Sequence, residues 1–385
     1  MSDLKKVGII TIYHNNRNYG GLLQAYALRQ SISNLGYKCD IIDYTQNAAS
    51  YKFSRMCNLG LKRTFEVVRN KVLTKIQYRR HPALKKSIDL RNGCLHSFEA
   101  SIPHTATVHD DGIEAKAAEY DILVCGSDQI WNPGLWSPSM FLDIPKFSGK
   151  RLSYAASIGR NQLTTKEQDY ISKHAQGLNH ISVREKSAEK MLKQILKKEV
   201  ITVLDPTFLI NPDEWKAFAR KPEGVSEKYV FSFFLGNNES AKKMIYDTFS
   251  KEMPVITIPH LQTGFKAEDE KYSTIQLYKV GPREWVWLIL NAQAVLTDSF
   301  HGTAFSINLN KEVFSFPKGS KEDKQSINSR LSDLLKMCGI ENRFLTDCST
   351  IKNRVHEKID WTSVNEKLDR EKRAARDYLI KSLSD

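Results

Sequence analysis

The feature that most limits what this chain can fold into is an alternation. Short β-rich apolar runs are each followed by a polar cluster and then by a helical pattern, the signature of α/β units around parallel sheets. Lys6–Ile12 reads as a strand. Leu22–Leu35 reads as a helix, with Leu23, Ala27, Gln30 and Asn34 marking its turns and Gly36 its stop. Lys38–Tyr44 reads as a second strand, and the three pieces make one βαβ unit. Further strands are expected at Asp121–Cys125, Arg151–Ser157, His180–Val183 and Val200–Leu204. A second series runs through strands Lys228–Leu235 and Pro254–Ile258, a helix near Arg283–Leu290, strand Gln293–Thr297, a helix from about Thr303 and strand Lys311–Phe316. Asn211-Pro212-Asp213 and Lys221–Ser226 read as linker between the series. Ser363–Leu383 reads as a charged amphipathic helix, with Ser363 and Glu366 spaced as a capping box. The expected fold class is α/β, with two Rossmann-like domains facing a cleft and a C-terminal helix packing back. The expected boundaries are residues 1–210, with an insert at about 45–118, then 211–350, then the helix in 351–385.

Composition bounds the class. With 385 residues, two or three domains are expected, and 41% hydrophobic residues exclude a wholly disordered chain. No run approaches the ~18–20 apolar residues of a membrane-spanning helix. The start of the chain reads as a first strand and not as a secretion signal. Cys39, Cys57, Cys94, Cys125, Cys338 and Cys348 are scattered without a C-x-x-C pair, so free thiols in a reducing cytoplasm are expected. Cys94 and His96 form the only close Cys/His pair, too few ligands for a structural zinc, and no metal site is expected. Paired carboxylates of a glycosidase and a G-x-S-x-G nucleophile turn are not evident. The formal net charge of +13 calls for an anionic partner: nucleic acid, anionic membrane or a phosphorylated substrate.

In open α/β sheets ligands bind at the carboxyl ends of strands, and the polar clusters fall there repeatedly. The most informative is Asp298-Ser299-Phe300-His301-Gly302-Thr303, a strand–turn–helix corner whose helix N-terminus favours an anion. His301 is either a structural histidine capping a turn or a functional one. Arg184 follows a strand and suits bidentate phosphate or carboxylate binding; the alternative is a salt bridge to a neighbouring acid such as Glu185. Gly20-Gly21 behind Asn18 is a weak phosphate-loop signal and not G-x-G-x-x-G. Gly126-Ser127-Asp128 reads as a tight turn needing glycine's φ freedom. Asp43 ends strand two and either accepts from a sugar hydroxyl or caps a loop. Trp131 and Trp136 either stack on a sugar or pack in the core. Among the remaining histidines, His14 in the first loop is the one substrate-contact candidate.

Taken in order, several pieces resemble the polysaccharide pyruvyl transferase family. They are Asn18-Tyr-Gly-Gly-Leu-Leu-Gln-Ala-Tyr-Ala-Leu28, Val124-Cys-Gly-Ser-Asp-Gln-Ile-Trp-Asn132, Ser153-Tyr-Ala-Ala-Ser-Ile-Gly159, Ser182-Val-Arg-Glu-Lys-Ser-Ala188, Leu204-Asp-Pro-Thr-Phe208, Thr297-Asp-Ser-Phe-His-Gly-Thr-Ala304 and Ser326-Ile-Asn-Ser-Arg330. They span about residues 6–345, and the stretch of about 45–118 carries no matching motif. The resemblance implies a fold like the B-type glycosyltransferases, with the acceptor on the N-terminal domain and the donor on the C-terminal one. It implies transfer of a pyruvyl group from phosphoenolpyruvate to two hydroxyls of a surface polysaccharide or its lipid-linked precursor, as a cyclic ketal, with no other cofactor. The family's key arginine and histidine look like Arg184 and His301, and Arg330 is a further match. Asn18, Gly20, Gly21, Gly126, Ser127, Asp128, Ser299, Gly302, Thr303, Asn328 and Arg330 are the expected substrate-binding set. Asp128 or Asp298 is a candidate to orient or deprotonate a hydroxyl. Alanine at His301 or Arg184 is expected to abolish ketal formation and leave the fold intact.

The main rival is a B-type glycosyltransferase using a nucleotide sugar. A non-catalytic sugar- or anion-binding protein is the second. Nucleic-acid binding has no recognition motif behind it, and no specific nucleic acid is expected. The charge itself is local. Residues 51–91 hold twelve lysines and arginines against Glu66 and Asp89, which is ten of the net +13. Leu61, Phe65, Val68, Val72 and Ile76 recur there at helical spacing. That pattern fits a solvated helix on the N-terminal domain, or a basic helix docking a cytoplasmic enzyme on anionic lipid at the inner membrane face.

Overall fold

The computed structural model describes residues 4–47, 69, 76, 78–225, 228–261, 267–318 and 324–385. The described chain divides into two compact units: residues 1–64, 99–210 and 370–385, and residues 65–98 and 211–369.

The first unit is built on strands β1 (Lys6–Ile10), β2 (Lys38–Ile41), β3 (Ile122–Cys125) and β4 (Lys150–Ser153), joined in the order β2-β1-β3-β4 with every pair parallel. A parallel pair, β5 (Ser182–Val183) and β6 (Ile201–Thr202), is tied to β4 by bridges Leu152–His180 and Ala156–Val183. Strands β1 and β3 are central, and Val7, Ile9, Ile10, Leu123, Val124 and Cys125 are wholly buried. That burial on both faces explains why these runs read as continuous apolar stretches. Helix α1 (Tyr19–Asn34) crosses from β1 to β2. Its start lies three residues before the expected Leu22, because Asn18 caps it: Asn18 Oδ1 accepts from Gly20 N at 3.0 Å and Gly21 N at 3.4 Å.

The second unit starts with helix α2 (Pro82–Ser101), most of which belongs to it. Leu84, Ile88, Arg91, Leu95 and Phe98 line the buried stripe of α2 at helical spacing. The insert was expected on the N-terminal domain. Residues 65–98 instead group with the second unit: Arg91 donates to the carbonyls of Pro259 (2.5 Å) and His260 (2.9 Å), and Phe98 meets Phe218 edge to face. The amphipathic helix expected earlier in this segment lies almost entirely outside the described residues. Of its apolar set only Ile76 is described, 40% exposed.

In the first unit, α3 (Ile113–Ala117), α4 (Thr165–His174) and α5 (Lys186–Leu196) follow. In the second, α6 (Pro212–Phe218) begins where linker was expected, since Asn211 and Glu214 form a reciprocal capping box and Pro212 presets the first turn. The sheet of this unit comprises β7 (Val230–Phe233), β8 (Val255–Thr257), β9 (Ile275–Gln276), β10 (Ala294–Thr297) and β11 (Val313–Ser315). All pairs are parallel, in the order β9-β8-β7-β10-β11, which is the 3-2-1-4-5 order of a nucleotide-binding sheet. Its helices are α7 (Glu239–Phe249), α8 (Ala267–Lys271), α9 (Pro282–Asn291), α10 (Phe300–Asn308), α11 (Lys324–Cys338) and α12 (Ile351–Arg354). The last helix, α13 (Trp361–Ser384), runs on into the first unit. There Tyr378 donates to Ser153 O (2.9 Å) and Lys150 to Leu383 O (3.0 Å). The cap of α13 is Asp360, whose Oδ1 accepts from Thr362 N and Ser363 N at 3.1 and 3.4 Å, and not the Ser363 box that the spacing suggested.

Among the described residues no helix is long and apolar enough to cross a membrane, and no cluster of His, Cys, Asp and Glu could hold a metal ion. Cys39, Cys94 and Cys125 are free thiols, and Cys57 lies outside the described residues.

Candidate functional site

Each sheet has a switch point, where the chain leaves neighbouring strands in opposite directions and opens a crevice at their carboxyl ends. In the first unit it lies between β1 and β3, in the second between β7 and β10. Gly126, Ser127 and Asp128 follow β3 at the first, and Asp298, Ser299, His301, Gly302 and Thr303 follow β10 at the second.

In the second unit the corner runs from β10 into α10. The helix begins at Phe300, earlier than expected, so His301 lies inside its first turn. Ser299 is the N-cap, and its Oγ accepts from Gly302 N at 3.2 Å. Thr303 Oγ1 donates to Ser299 O and meets Ser315 Oγ at 2.7 Å, fastening α10 to β11. Gly302 is required by close approach: a Cβ there would lie 2.7 Å from Thr297 Oγ1. Asp298 closes the crevice by accepting from Leu235 N and Gly236 N, each at 2.7 Å, which staples the end of β7 to the end of β10. Burial pushes the Asp298 carboxyl up, against the pull of those two N–H groups and of the Lys318 charge. Lys318 passes over Gly236, and its backbone N–H and C=O are both held by the Asn328 amide at 2.9 and 3.3 Å. Asn328 and Arg330 are both buried in α11, which packs against α10. His301 is 6% exposed, with the Phe300 ring edge-on at 5.3 Å. The structure thus brings Asp298, Ser299, His301, Gly302 and Thr303 to one corner and ties Asn328 to the neighbouring loop.

In the first unit Gly126 follows β3, and its N–H donates to Ile10 O. Its φ is not positive; the residue in the left-handed half of the map is Asp128, at φ 63° and ψ −168°. Glycine is needed at 126 for a different reason than expected: a Cβ would meet Thr11 Cβ at 2.8 Å. The Asp128 conformation costs on the order of 1–3 kcal/mol in a residue with a side chain. It is held by a bridge to Ala156 and by Ser157 N donating to Asp128 O at 2.9 Å. Strain of this kind concentrates at functional sites.

Arg184, just after β5, ends among acids. Its Nη1 is 2.6 Å from Asp205 Oδ2 and its Nη2 3.6 Å from Asp128 Oδ1, with the side chain 2% exposed. Burial would lower the guanidinium pKa, but Asp205, Glu185 and Asp128 together raise it, so the charge is firmly held. Asp205 also accepts from Ser127 Oγ (3.1 Å), Thr207 N (3.1 Å) and Thr207 Oγ1 (2.9 Å). The salt bridges are therefore to Asp205 and, at longer range, Asp128, while Glu185 stands at the N-cap position of α5 and accepts from the Ser157 hydroxyl. A fully buried pair of this kind also corrects the expectation that Arg184→Ala leaves the fold intact, since it would strand the Asp205 charge. Asp205 was not among the residues singled out in the sequence. Its signal was an acid directly after the Val200–Leu204 run and before Pro-Thr, the start of an Asx turn.

The remaining candidates separate clearly. Gly20 and Gly21 are buried in the first turn of α1, their N–H groups taken by Asn18. Trp131 stacks on Phe141 and Trp136 on Tyr170, both in the core, so neither stacks on a sugar. Asp43 does not cap a loop through its own turn. It receives His14 Nδ1 at 3.0 Å and Thr107 Oγ1 at 2.7 Å.

The family model described as polysaccharide pyruvyl transferase matches residues 18–318. No curated protein matches the chain. Among solved structures, a Listeria monocytogenes protein assigned as a UDP-N-acetylglucosamine 2-epimerase superposes with a TM-score of 0.55 at 10% identity, over 99% of this chain and 96% of that one. The UDP-GlcNAc 2-epimerase of Methanocaldococcus jannaschii, solved with UDP-GlcNAc and UDP, gives 0.51 at 13% identity, over 98% and 99%. At such identities the likeness is one of fold: α/β, with parallel sheets, of the B-type glycosyltransferase kind.

Proposed function

We propose that this chain, a member of the polysaccharide pyruvyl transferase family, transfers a pyruvyl group from phosphoenolpyruvate to two hydroxyls of a glycan and leaves it as a cyclic ketal. The observation that carries this reading is His301 in the first turn of α10, at the switch point of the second unit. Phosphoenolpyruvate presents a phosphate and a carboxylate. A helix N-terminus at the carboxyl end of a central strand offers N–H groups and a favourable dipole to such an anion. Lys318, which lies over Gly236, and Arg330 in α11 add positive charge to the same unit. Histidine is the side chain best suited to give and take a proton near neutrality, so His301 is assigned to general acid–base work on the enol phosphate. Asp298, whose pKa burial raises, holds the two strand ends at the geometry this requires by accepting from both backbone N–H groups.

Arg184 takes a different part in this reading from direct donor binding. Three carboxylates already compensate its charge, and its task is to hold Asp128 and Asp205 in the first unit, on the acceptor side. The fold is shared with enzymes of nucleotide sugars. The family match favours phosphoenolpyruvate over a nucleotide-sugar donor. The basic segment 51–91 is assigned to contact with anionic lipid, where a lipid-linked acceptor would be met; Arg79, Arg80, Lys85 and Lys86 are exposed, and Leu90 is 49% exposed beside them.

Calorimetric titration of the full chain separates the donors. Phosphoenolpyruvate is expected to bind, and His301→Ala to weaken that binding about tenfold or more, the scale of one charge-assisted contact. Binding of UDP-sugars with no heat from phosphoenolpyruvate would overturn the assignment.

A further inference from the structure

The first unit carries an imidazole–carboxylate pair that neither His301 nor Arg184 accounts for. His14 lies in the loop after β1 and Asp43 after β2, so adjacent parallel strands bring them to the same carboxyl edge. His14 Nδ1 is 3.0 and 3.1 Å from the two carboxylate oxygens of Asp43. A nitrogen facing two carboxylate oxygens must be the N–H donor. The other nitrogen, Nε2, is then the acceptor, and it receives the Asn15 amide at 2.7 Å. Asn15 reaches that position from a left-handed backbone, at φ 50°. The Asn15 amide shows where a donor group sits against Nε2, and an incoming hydroxyl would take the same place. Asp43 is fixed in turn by Thr107 Oγ1, and its side chain is 10% exposed against 31% for His14. The acid is thus buried and oriented, while the His14 ring is partly exposed, with its Nε2 held by the Asn15 amide that an incoming hydroxyl would displace.

We propose that His14 is the catalytic base for the acceptor, taking the proton from the attacking sugar hydroxyl, and that Asp43 is its positioning residue. The inference rests on the pyruvyltransferase reading above and deepens it. Phosphoenolpyruvate gains a proton at its methylene carbon. The hydroxyl oxygen forms a bond to the adjacent enol carbon, and its proton passes to His14 Nε2. Phosphate departs with the electron pair of the broken C–O bond, and the second hydroxyl closes the ring. Of the two hydroxyl protons, one is accounted for in the new methyl group and the other leaves on phosphate, so no oxidant or reductant enters. The imidazolium formed on the way is stabilised by the Asp43 carboxylate, which also keeps Nε2 aimed outward.

The test uses the full chain, phosphoenolpyruvate and a panel of p-nitrophenyl hexopyranosides as acceptor probes, read by phosphate release and by the pyruvyl mass gain of the glycoside. His14→Gln is expected to lower kcat by about 10²–10⁴ while leaving KM for phosphoenolpyruvate unchanged, the range of a lost general base. Asp43→Asn is expected to lower kcat less and to redistribute the His14 tautomers in ring ¹⁵N spectra, a change that a merely structural acid would not produce. If the wild-type protein forms the ketal and His14→Gln keeps kcat within about threefold, well below the general-base range, the dyad is overturned and the pyruvyltransferase reading stands. If the wild-type protein releases no phosphate with any glycoside, both fall together.

Discussion

At the scale of single residues the first unit holds a charged pair away from solvent. Arg184 and Asp205 are both buried, their contact is 2.6 Å, and the surrounding carboxylates, Asp205 first, raise the Arg184 pKa against burial. Removing one partner leaves an uncompensated charge, so Arg184→Met is expected to destabilise the protein by roughly 3–5 kcal/mol, and Arg184→Met with Asp205→Asn to recover a good part of that. Urea denaturation of the two variants checks this; equal stabilities would show that the pair carries no such coupling. The sequence showed that Arg184 follows a strand and is surrounded by polar residues. It could not show the partner, because Asp205 is 21 positions away and reaches Arg184 only through the parallel pairing of β5 with β6. The turn at Gly126 teaches the same point. The glycine was legible, but its reason, the approach of Thr11, is a contact between β1 and β3.

At the scale of elements, the central strands were legible because parallel strands buried on both faces are continuous apolar runs, as in β3 and β10. The two-residue strands β5 and β6 were not legible at their true length, and β9 was not legible at all, since so short a run has no period of its own. Helix starts shifted where Asn18, Ser299 and Asp360 took the cap, and the Asn211 cap starts a helix where linker was expected. Helix α5 yields a pH prediction. Glu189 binds Lys193 at 2.8 Å and Lys186 at 3.3 Å, and also takes the Thr202 hydroxyl of β6, fastening the helix to the strand. Burial would raise its pKa, but these partners win and hold it at about 2. The folded value lies below the unfolded value of about 4.3, so the stabilisation is complete above that pH and is lost as pH falls towards 2. Thermal melts of Glu189→Gln and wild type are therefore expected to differ near neutrality and converge in that acid window. A constant difference would remove Glu189 as its source.

At the scale of the whole molecule, two parallel α/β sheets and their polar carboxyl edges were readable from the alternation of strands and helices. The grouping of residues 65–98 with the second unit was not, because it turns on the buried Arg91 gripping the carbonyls after β8. The concentration of charge in residues 51–91 makes a prediction at this scale. Full-length protein is expected to co-sediment with phosphatidylglycerol vesicles at low salt and to lose binding as salt rises, each exposed cation near the surface contributing about 1 kcal/mol. Reversing Arg79, Arg80, Lys85 and Lys86 to glutamate is expected to abolish it, and unchanged sedimentation would exclude this surface. The central claim is the reaction itself, and mass spectrometry of glycosides incubated with the protein and phosphoenolpyruvate tests it most directly. The account predicts a pyruvyl mass gain matched by phosphate release and lost in His301→Ala. Transfer of a hexose from a nucleotide sugar, with no pyruvyl product, would contradict it.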